Sequence, residues 1–554
     1  MTTTDSRRFL LLSAAGVVLF FLYQAWQADY PPAETPAAPA AAPVATAPPD
    51  EAPRAANAAA AAPASAGNPP VPANAGSVRV ETDAFVARIS LAGGDLEHLE
   101  LKGYPISKDH PDQLYPLLDD APARRFELQS GLAGSEQPLV THDTVFQSAK
   151  TQWTLADGAD TLDVELQAEA AGATVTKRYR FLRGRYEFEL EQRAQNTGAA
   201  PLTLSPYVRY LRDDYKPLGE SRFVNTFSGI GLYEADGGSL RFRKHKYSAL
   251  AQTPVDKTQA GGWISVLQHY FVAAILPPAE ETHQFSARLG KNGAYLAQYV
   301  GAAATVAPGN AAKFDTRLYV GPRLQKSIGK VAPGLDLTVD YGILKPIAQP
   351  LFWLLDQFHT WTGNWGVAII LLTLSVKLLM YKLSEAQFRS MAKMKKFQPR
   401  IQELKERYGD DRERMQKAMM ELYKKEGFNP LAGCWPLLVQ FPVFISLYWV
   451  LLESVELRQA SFAFWLHDLS APDPYYVLPV LFGLSMWLQQ KMSGQQAMDP
   501  VQQKMMQAMP IMLAAFFAFF PQGLVLYWFF SNLTGIAQQW VITKRLEKEG
   551  LSRR

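Results

Sequence analysis

An apolar run at residues 365–381 constrains this chain most, since it is long enough to cross a bilayer yet carries Lys377. In lipid the backbone polar groups must be satisfied within the segment, so the run predicts a helix. A lysine at that depth costs about 2.5–3.5 kcal/mol, which by default indicates a function. The alternative is that Lys377 snorkels to a water boundary, because Lys382 lies only about 7.5 Å further along a helix. The segment alone leaves both interpretations open.

Five further apolar segments accompany this run. One lies at residues 9–26, behind Arg7 and Arg8, and four lie near the C-terminus, at 431–452, 475–490, 505–520 and 523–542. The first exceeds the 7–15 apolar residues of a cleaved signal peptide and lacks a small-x-small cleavage site, so we expect an uncleaved anchor at residues 1–27. A tight turn at Pro521 separates the last two. The sequence therefore predicts six transmembrane helices.

The distribution of charge predicts the orientation of these helices. Residues 382–427 carry 13 Lys/Arg against 8 Asp/Glu, and residues 543–554 carry 5 against 2, whereas residues 453–474 carry 1 against 4. By the positive-inside rule, both termini and residues 382–427 are expected in the cytoplasm, and residues 28–340 outside it. The net formal charge of the whole chain is only +3, so no global basic field indicates DNA binding.

Composition divides the exported part in two. Residues 28–76 are dominated by Ala and Pro and predict an extended tether. From 77 to 340, short segments alternate in polarity with period two, as at 78–91, 174–181 and 186–190, which predicts a large antiparallel β-sandwich.

This sandwich carries no recognisable catalytic set. Its histidines lack metal-ligand spacing, and Cys434 is the only cysteine of the chain, which excludes an internal disulfide or a cysteine-based metal cluster. We therefore expect no metal and no catalysis, and interpret the sandwich as a folding or docking module. The histidines concerned are His98, His110, His142, His245, His269 and His283.

Residues 384–427 predict an antiparallel helical hairpin in the cytoplasm. Apolar residues from Met391 to Tyr408 recur at intervals of three and four, Gly409 can end that helix, and Asp410 with Glu413 matches a capping box for the next. The hairpin is either simply solvated or a landing surface for ribosomal RNA, anionic lipid or an emerging apolar chain, and both readings stay open. The residues proposed for recruitment are Met391, Met394, Lys395, Lys396, Arg400, Arg407, Arg412 and Arg414.

Residues 341–361 form an amphipathic stretch directly before the run that carries Lys377. An apolar stripe directly before a membrane-spanning segment can bury its side chains in lipid, so we expect a helix lying at the outer interface of the membrane. The alternative is a linker helix packed on the sandwich.

Many short motifs in one order resemble the YidC family of membrane protein insertases. The resemblance runs from the first apolar segment to Lys548, apart from the compositional tether, and matches the Gram-negative form with six transmembrane helices and a large periplasmic domain. The motifs are Gly363-Asn-Trp-Gly366, Met391-Ala-Lys-Met394, Gln398-Pro-Arg400, Asn429-Pro-Leu431, Gly433-Cys-Trp-Pro-Leu-Leu438, Gln440-Phe-Pro442, Ser454-Val-Glu-Leu-Arg-Gln459, His467-Asp-Leu469, Gln490-Lys-Met492 and Gly523-Leu-Val-Leu-Tyr527.

The resemblance implies a multi-domain inner-membrane protein that is not an enzyme and uses no cofactor. Five helices at 362–542 would form an insertase core around a hydrophilic groove, with a periplasmic β-supersandwich at 77–340 and a basic tail at 543–554. It further implies that newly made inner-membrane proteins are the substrates, that the protein works alone or with the Sec translocon and helps helices fold, and that the hairpin and tail meet the ribosome and the signal recognition particle receptor. Mapped onto this sequence, the groove residues are Lys377, Thr373, Gln490, Trp528 and Asn532.

One groove position departs from the family pattern, because the usual cation is arginine and this chain has Lys377. Arginine stays charged and can form two hydrogen bonds at once, whereas lysine is a point charge that needs water or an anion to remain charged. The substitution therefore predicts a wet groove.

Three other functions compete with insertion, and an intramembrane protease is the weakest of them because no Asp pair or Ser/His set lies within the spans. A secondary transporter would show inverted repeats and acidic coupling residues in its spans, and the sequence has neither. A structural scaffold that docks the Sec translocon through the β-domain would lose its role if residues 77–320 were deleted, whereas an insertase would retain activity.

Overall fold

The computed structural model describes residues 76–548, apart from 123, 136–137, 219–225, 237–238, 291, 410, 426–434 and 494–499. The predicted anchor, tether and the end of the basic tail lie outside these residues. The chain divides into two compact units. Of the described residues, a helical unit holds those from Tyr341 to Leu452 and from Ala460 onward, and a β unit holds those up to Asp340 together with Glu453–Gln459.

The described part of the β unit is built from twenty strands in two sheets. The eleven-stranded sheet has the order β14-β17-β18-β11-β5-β3-β2-β1-β7, with β19 beside β11 and β4 beside β3; the nine-stranded sheet has the order β13-β12-β15-β16-β20-β10-β9-β8-β6. The strands are β1 Ser77–Glu81, β2 Phe85–Ser90, β3 Leu96–Ser107, β4 His110–Leu118, β5 Phe126–Gly134, β6 Gln147–Ser148, β7 Gln152–Thr154, β8 Thr161–Ala170, β9 Ala173–Leu182, β10 Glu187–Asn196, β11 Leu202–Arg212, β12 Gly229–Asp236, β13 Ser239–Lys246, β14 Val255–Ala260, β15 Trp263–Leu267, β16 Phe271–Leu276, β17 Thr282–Leu289, β18 Tyr295–Val300, β19 Ala304–Val306 and β20 Ala311–Pro322.

Period-two patterning builds the core between these sheets. In β9 every second side chain is buried, as the alternation of the sequence predicts. Phe85 of the first sheet meets Phe181 and Phe188 of the second at ring distances of 6.2 and 6.1 Å. The predicted β-sandwich is confirmed by this packing.

Residues 78–91 form two strands, not the single strand that the sequence suggested. The oxygen Oγ1 of Thr82 accepts hydrogen bonds from the backbone N–H groups of Ala84 and Phe85, and the Thr82 N–H donates to the Phe85 carbonyl. These bonds close a turn, so β1 and β2 pair as antiparallel neighbours. Alternation of polarity does not reveal such a turn when no Gly or Pro marks it.

Lys177 lies among the inward-facing side chains of β9 and is completely buried. Its ammonium donates to the carbonyl and the hydroxyl of Ser130, at 2.8 Å each, and to the carbonyl of Gly93. Asp95 stands 3.7 Å from it. Burial lowers the pKa of Lys177 to about 8, and the Asp95 charge opposes that shift. A buried charge is thus surrounded by oxygen atoms, as its desolvation requires.

The segment Glu453–Gln459 belongs to the β unit although the helical unit flanks it in sequence. Arg323 donates to Glu453 across 2.9 Å, with both side chains largely buried. Arg458 lies over the ring of Tyr115 at 5.5 Å and donates to the carbonyl of Pro105. Charge-assisted bonds of this kind hold the segment on the sandwich.

The described part of the helical unit contains eight helices of more than ten residues. An asparagine starts α2, because Asn364 Oδ1 accepts from the Val367 N–H at 3.1 Å. Similarly, Asp411 caps α4 by accepting from the Arg414 N–H, whereas the predicted cap Asp410 lies outside the described residues. The helices are α1 Lys345–Thr362, α2 Trp365–Leu379, α3 Tyr381–Tyr408, α4 Arg412–Lys425, α5 Trp435–Glu453, α6 Val477–Ser493, α7 Pro500–Phe517 and α8 Gln522–Lys548.

Among the described residues, no single helix is both long and apolar enough to cross a bilayer. The segments Trp365–Leu379 and Tyr381–Ser390 reach that length together, with a bend of 61° between them. Val439–Glu453 and Lys504–Phe517 are shorter apolar helices. The bounds of the helices therefore differ from the bounds of the apolar segments that the sequence analysis identified.

Candidate functional site

Helix α8 is the scaffold of the candidate site, since it packs against α2, α3 and α6. It runs parallel to α6, because contacts advance along both helices in step: Phe482 with Trp528 and Ser485 with Asn532. Gly535 continues this line, as a side chain there would meet the amide of Gln489. On its other side, the Gln538 amide donates to the Lys377 carbonyl at 3.0 Å. The last helix, which carries Trp528 and Asn532, thus contacts both helices that carry the other predicted groove residues.

Lys377 lies in the last turn of α2 and is half-buried, between the buried Val376 and the exposed Leu378. No hydrogen bond or ion pair to its ammonium comes from the residues that the structure describes. Thr373 lies one turn earlier and is buried, with its hydroxyl donating to the Ile369 carbonyl at 2.7 Å. Of these two predicted residues, Lys377 is therefore the one whose polar atom is left for a ligand.

Gln490 and Asn532 use their amide hydrogens within the protein. The Gln490 amide donates to the Met506 carbonyl at 2.7 Å, and the Asn532 amide donates to the Ser485 hydroxyl at 2.8 Å. Both side chains are only partly buried. Since a side-chain amide has two N–H groups and an oxygen, each can still exchange a hydrogen bond with a passing chain.

Trp528 lies in a cluster of aromatic rings. Its ring stacks on Phe444 at 5.3 Å with an interplanar angle of 11°, and approaches Phe517 at 3.6 Å. Phe482 and Phe520 lie at 6.3 Å. Because Trp528 is ten residues before Gln538 on α8, this cluster lies about 15 Å along the helix from the level of Lys377. One end of the site is therefore apolar and the other carries a cation.

The hairpin residues are described only in part. Helices α3 and α4 are the predicted pair, and Arg400, Arg407 and Arg414 are exposed on them. Arg414 forms an ion pair with Asp411 at 3.1 Å. The side chains of the remaining recruitment residues lie outside the described ones; these are Met391, Met394, Lys395, Lys396 and Arg412.

Sequence reasoning missed several members of the site. Ser485 and Phe482 are spaced by three on α6, and Phe444 lies in the middle of the apolar helix α5, so neither pattern differs from ordinary helix packing. The sequence signal for Gln538 is weak: it is a polar residue ten positions after Trp528 in a largely apolar helix.

In the β unit, His98, Asp119 and Asp120 bring ligand atoms within 4.8 Å of one another. Arg124 and Arg88 already neutralise the two carboxylates there.

Two family models together match most of both units. Residues 77–354 match the family described as YidC periplasmic domain, and residues 357–549 match the family described as 60Kd inner membrane protein. The membrane protein insertase YidC of Thioalkalivibrio sulfidiphilus is 44% identical over 99% of this chain and 99% of its own length, and that of Nitrosospira multiformis is 44% identical over 98% of each. A solved structure described as an active YidC insertase covers 83% of this chain and 91% of its own, with 17% identity and a TM-score of 0.40.

A helical unit of the inner membrane joined to a periplasmic β-sandwich is the class that these observations define. The chain belongs to the YidC family of membrane protein insertases. The family predicted from the motifs is thereby confirmed, as is the expectation that the protein is not an enzyme.

Proposed function

We propose that this chain inserts membrane proteins by drawing a short polar segment of the substrate into a groove beside α2, α6 and α8. Polar groups that cross lipid without solvation cost several kcal/mol each. A groove that reaches partway across the membrane shortens that barrier. The observation that carries the proposal is the state of Lys377. The residue is half-buried, and its ammonium neither donates a hydrogen bond to a described residue nor forms an ion pair with one.

Each end of the groove has its own role in this mechanism. Lys377 attracts acidic residues of the substrate tail, and Gln490 and Asn532 exchange hydrogen bonds with its backbone. The rings around Trp528 form an apolar end that a polar tail passes last, while the apolar helix of the substrate moves sideways into lipid. The membrane potential assists an acidic tail by about 2.3 kcal/mol per charge per 100 mV. The attraction has to stay weak so that the tail can leave, and the Thr373 hydroxyl adds no donor to it because it donates to the Ile369 carbonyl of its own helix.

The proposed arrangement has six transmembrane helices, both termini and the 384–427 hairpin in the cytoplasm, and residues 28–340 in the periplasm. The charge bias of the loops supports it. Exposed Trp353 and Trp361 on α1 support the interfacial placement of residues 341–361, since tryptophan prefers the headgroup level. Residues 362–542 would then form the insertase core.

Proposed partners follow from the same chemistry. The exposed arginines of α3 and α4 and the basic tail offer cations to the ribosome, to anionic lipid or to the signal recognition particle receptor. The Sec translocon is a further proposed partner.

Site-specific crosslinking tests the groove. A photoreactive residue is placed at Gln490 or Trp528, and a ribosome-bound nascent inner-membrane protein is added. We expect crosslinks from both positions, with an identical probe at the exposed Trp353 of α1 as the control that does not react. Crosslinks at Trp353 alone would contradict the groove.

A further inference from the structure

Two tryptophan–lysine pairs of the same geometry lie on the outside of the helical unit. On α6 the ammonium of Lys491 lies 3.9 Å from the ring centroid of Trp487, and on α8 the ammonium of Lys544 lies 3.9 Å from that of Trp540. In each pair the lysine follows the tryptophan by four residues, so both side chains share one face of their helix. A cation over the face of an indole is attracted by the electrons of the ring. We call these two pairs the Trp–Lys pairs.

The Trp–Lys pairs are open to the surroundings of the protein. Trp487 and Trp540 are 44% and 53% exposed, and both lysines are exposed as well. Within the part of the chain that the structure describes, no carboxylate forms an ion pair with either ammonium, and neither indole N–H donates a hydrogen bond. Lys382 and Lys417, which are also exposed on helices of this unit, instead form ion pairs with glutamates of their own helices. The two pairs therefore offer their donors to an anion from outside.

Exposed apolar surface leads along each helix to its Trp–Lys pair. On α8, Leu533 is exposed two turns before Trp540 on the same face. On α6, three exposed apolar side chains precede Lys491 at intervals of three and four residues and so share its face: Val480, Leu484 and Leu488. A cation at the end of an exposed apolar face is the arrangement that a membrane boundary favours.

The two pairs lie near the same level of the helical unit. The hydrogen bond from Asn532 to Ser485 aligns the parallel helices α8 and α6, so Trp487 is level with position 534. Trp540 is six residues further along α8, or about 9 Å, which flexible lysine side chains can take up within one headgroup layer. Lys504 of α7 adds a third exposed cation near this level.

The hydrogen bond from the Gln490 amide to the Met506 carbonyl supports the placement of Lys504, which is two residues from Met506 on α7. No ion pair to Lys504 comes from the described residues. Three helices thus present cations at one end of the helical unit, beside apolar surface.

We propose that each Trp–Lys pair binds the phosphate of an anionic phospholipid. The phosphate accepts hydrogen bonds from the ammonium and from the indole N–H, and the acyl chains lie along the exposed apolar face. A free phosphate or an RNA would satisfy the cations but leave the apolar faces in water. A zwitterionic lipid carries an ammonium of its own, so it gains less from the lysine than a lipid with a net negative charge.

Two lipids held in this way would fix the depth of α6 and α8 in the bilayer, because neither cation can leave the headgroup layer without losing its phosphate. The proposal needs only the inner-membrane location that the family has. In the orientation proposed above, the lipids belong to the cytoplasmic leaflet, but their binding does not depend on that orientation.

Lipid titration of the delipidated full-length protein tests the proposal. The protein is kept in detergent, phosphatidylglycerol or phosphatidylethanolamine with the same acyl chains is added, and bound lipids are counted by native mass spectrometry. We expect phosphatidylglycerol to bind about fivefold more tightly than phosphatidylethanolamine. Glycerol phosphate, which has the anionic group without the chains, should not displace the bound lipid at equal concentration.

Two double variants separate the charge from the ring. Lys491→Gln with Lys544→Gln should lower the affinity for phosphatidylglycerol about fivefold and remove the preference over phosphatidylethanolamine. Trp487→Leu with Trp540→Leu retains the apolar surface and should lower that affinity about threefold, because the ring that positions the cation is lost. All four positions are exposed, so each variant should keep the unfolding temperature of the wild type.

A matched control removes the same amount of charge elsewhere in the helical unit. Lys382→Gln with Lys417→Gln should leave the preference for phosphatidylglycerol unchanged, because these lysines already have glutamate partners. An equal loss in the control and in Lys491→Gln with Lys544→Gln would mean that net charge alone attracts the lipid, and would overturn the proposal.

Four further outcomes would overturn it. These are equal binding of the two lipids by the wild type, a preference that Lys491→Gln with Lys544→Gln leaves intact, displacement of the lipid by glycerol phosphate, and tighter binding of polyuridylate than of lipid at these lysines, which would assign them to RNA. No substrate is present in the titration, so its result is independent of the groove.

Discussion

Two buried or half-buried lysines, one in each unit, show how differently this molecule treats a cation. Lys177 of the β unit is fully buried, and its ammonium is bound by Ser130, Gly93 and the nearby Asp95. Lys377 of the helical unit is half-buried in an apolar helix and receives no described contact at its ammonium. The first lysine is satisfied by the fold. The second is available to something that the fold does not supply.

This difference separates a structural charge from a functional one. A charge that the fold has enclosed in oxygen atoms contributes to the native state, and its removal destabilises the protein. A charge that the fold leaves unpartnered contributes little to stability, so its presence in an apolar helix indicates a function. Five predictions break or sharpen this comparison, four of them on stability and the last on insertion.

The largest effect is expected at the satisfied lysine. Lys177→Met leaves Asp95 buried without its cation, and should destabilise the β unit by about 3–5 kcal/mol. Hydrogen exchange of β9 and β10 in the intact protein measures the loss. The exposed Lys313→Met, which breaks surface ion pairs with Glu191 and Asp315, should cost less than about 1 kcal/mol. Recovery of stability in Lys177→Met with Asp95→Asn would support the account, whereas equal effects of Lys177→Met and Lys313→Met would contradict it.

A second effect is expected from a carboxyl group in the same unit. Burial raises the pKa of Glu127 from 4.5 to about 7, helped by Asp95, Glu97 and Asp120 and opposed by Arg125. Between these two pH values the folded state holds a proton that the unfolded chain releases, so stability falls as the pH rises, by about 3 kcal/mol in total. Glu127→Gln should flatten this pH dependence in hydrogen exchange of β5, while Glu165→Gln, at a half-buried position that forms an ion pair with Arg178, retains it. An unchanged slope in Glu127→Gln would contradict the assignment.

A smaller effect is expected where α6 meets α8. Ser485→Ala and Asn532→Ala each break the 2.8 Å hydrogen bond between these helices and should cost about 1 kcal/mol of stability in detergent. Because both changes remove the same bond, the double variant should cost less than the sum of the two. Strict additivity in thermal unfolding would show that this bond contributes nothing.

Much of this architecture follows from the sequence, for reasons that particular residues illustrate. The alternation in β9 predicts its strand because one face is buried, and the intervals from Met391 to Tyr408 predict the helix α3. The turn at Thr82 was missed because a threonine hydroxyl, which is common in strands, closes it. Lys177 escaped notice because a lysine in an alternating strand is usually solvated, and its oxygen partners come from distant parts of the chain.

The candidate site likewise has features that could be predicted from the sequence and features that could not. The motifs around Lys377, Gln490 and Trp528 could be predicted because they are local in sequence. The aromatic neighbours of Trp528 could not, since Phe444 and Phe517 lie on other helices and only the packing of α5, α7 and α8 brings them together. Likewise, nothing in the sequence indicates that Thr373 bonds its own helix backbone.

The smallest effect on stability is expected at the unsatisfied lysine. Lys377→Ala removes no described hydrogen bond or ion pair and should change the unfolding temperature in detergent little, by less than about 0.5 kcal/mol in free energy. A loss as large as that of Lys177→Met would mean that Lys377 is a structural charge like Lys177.

The rate of insertion of a substrate with an acidic tail tests the central claim most directly. The measurement compares wild type, Lys377→Ala, Lys377→Arg and the exposed control Lys382→Ala at equal expression, with an acidic and a neutral tail. The account predicts that Lys377→Ala slows the acidic tail about tenfold, that Lys377→Arg and Lys382→Ala match wild type, and that the neutral tail is unaffected. Wild-type insertion of the acidic tail by Lys377→Ala would contradict a role for the charge.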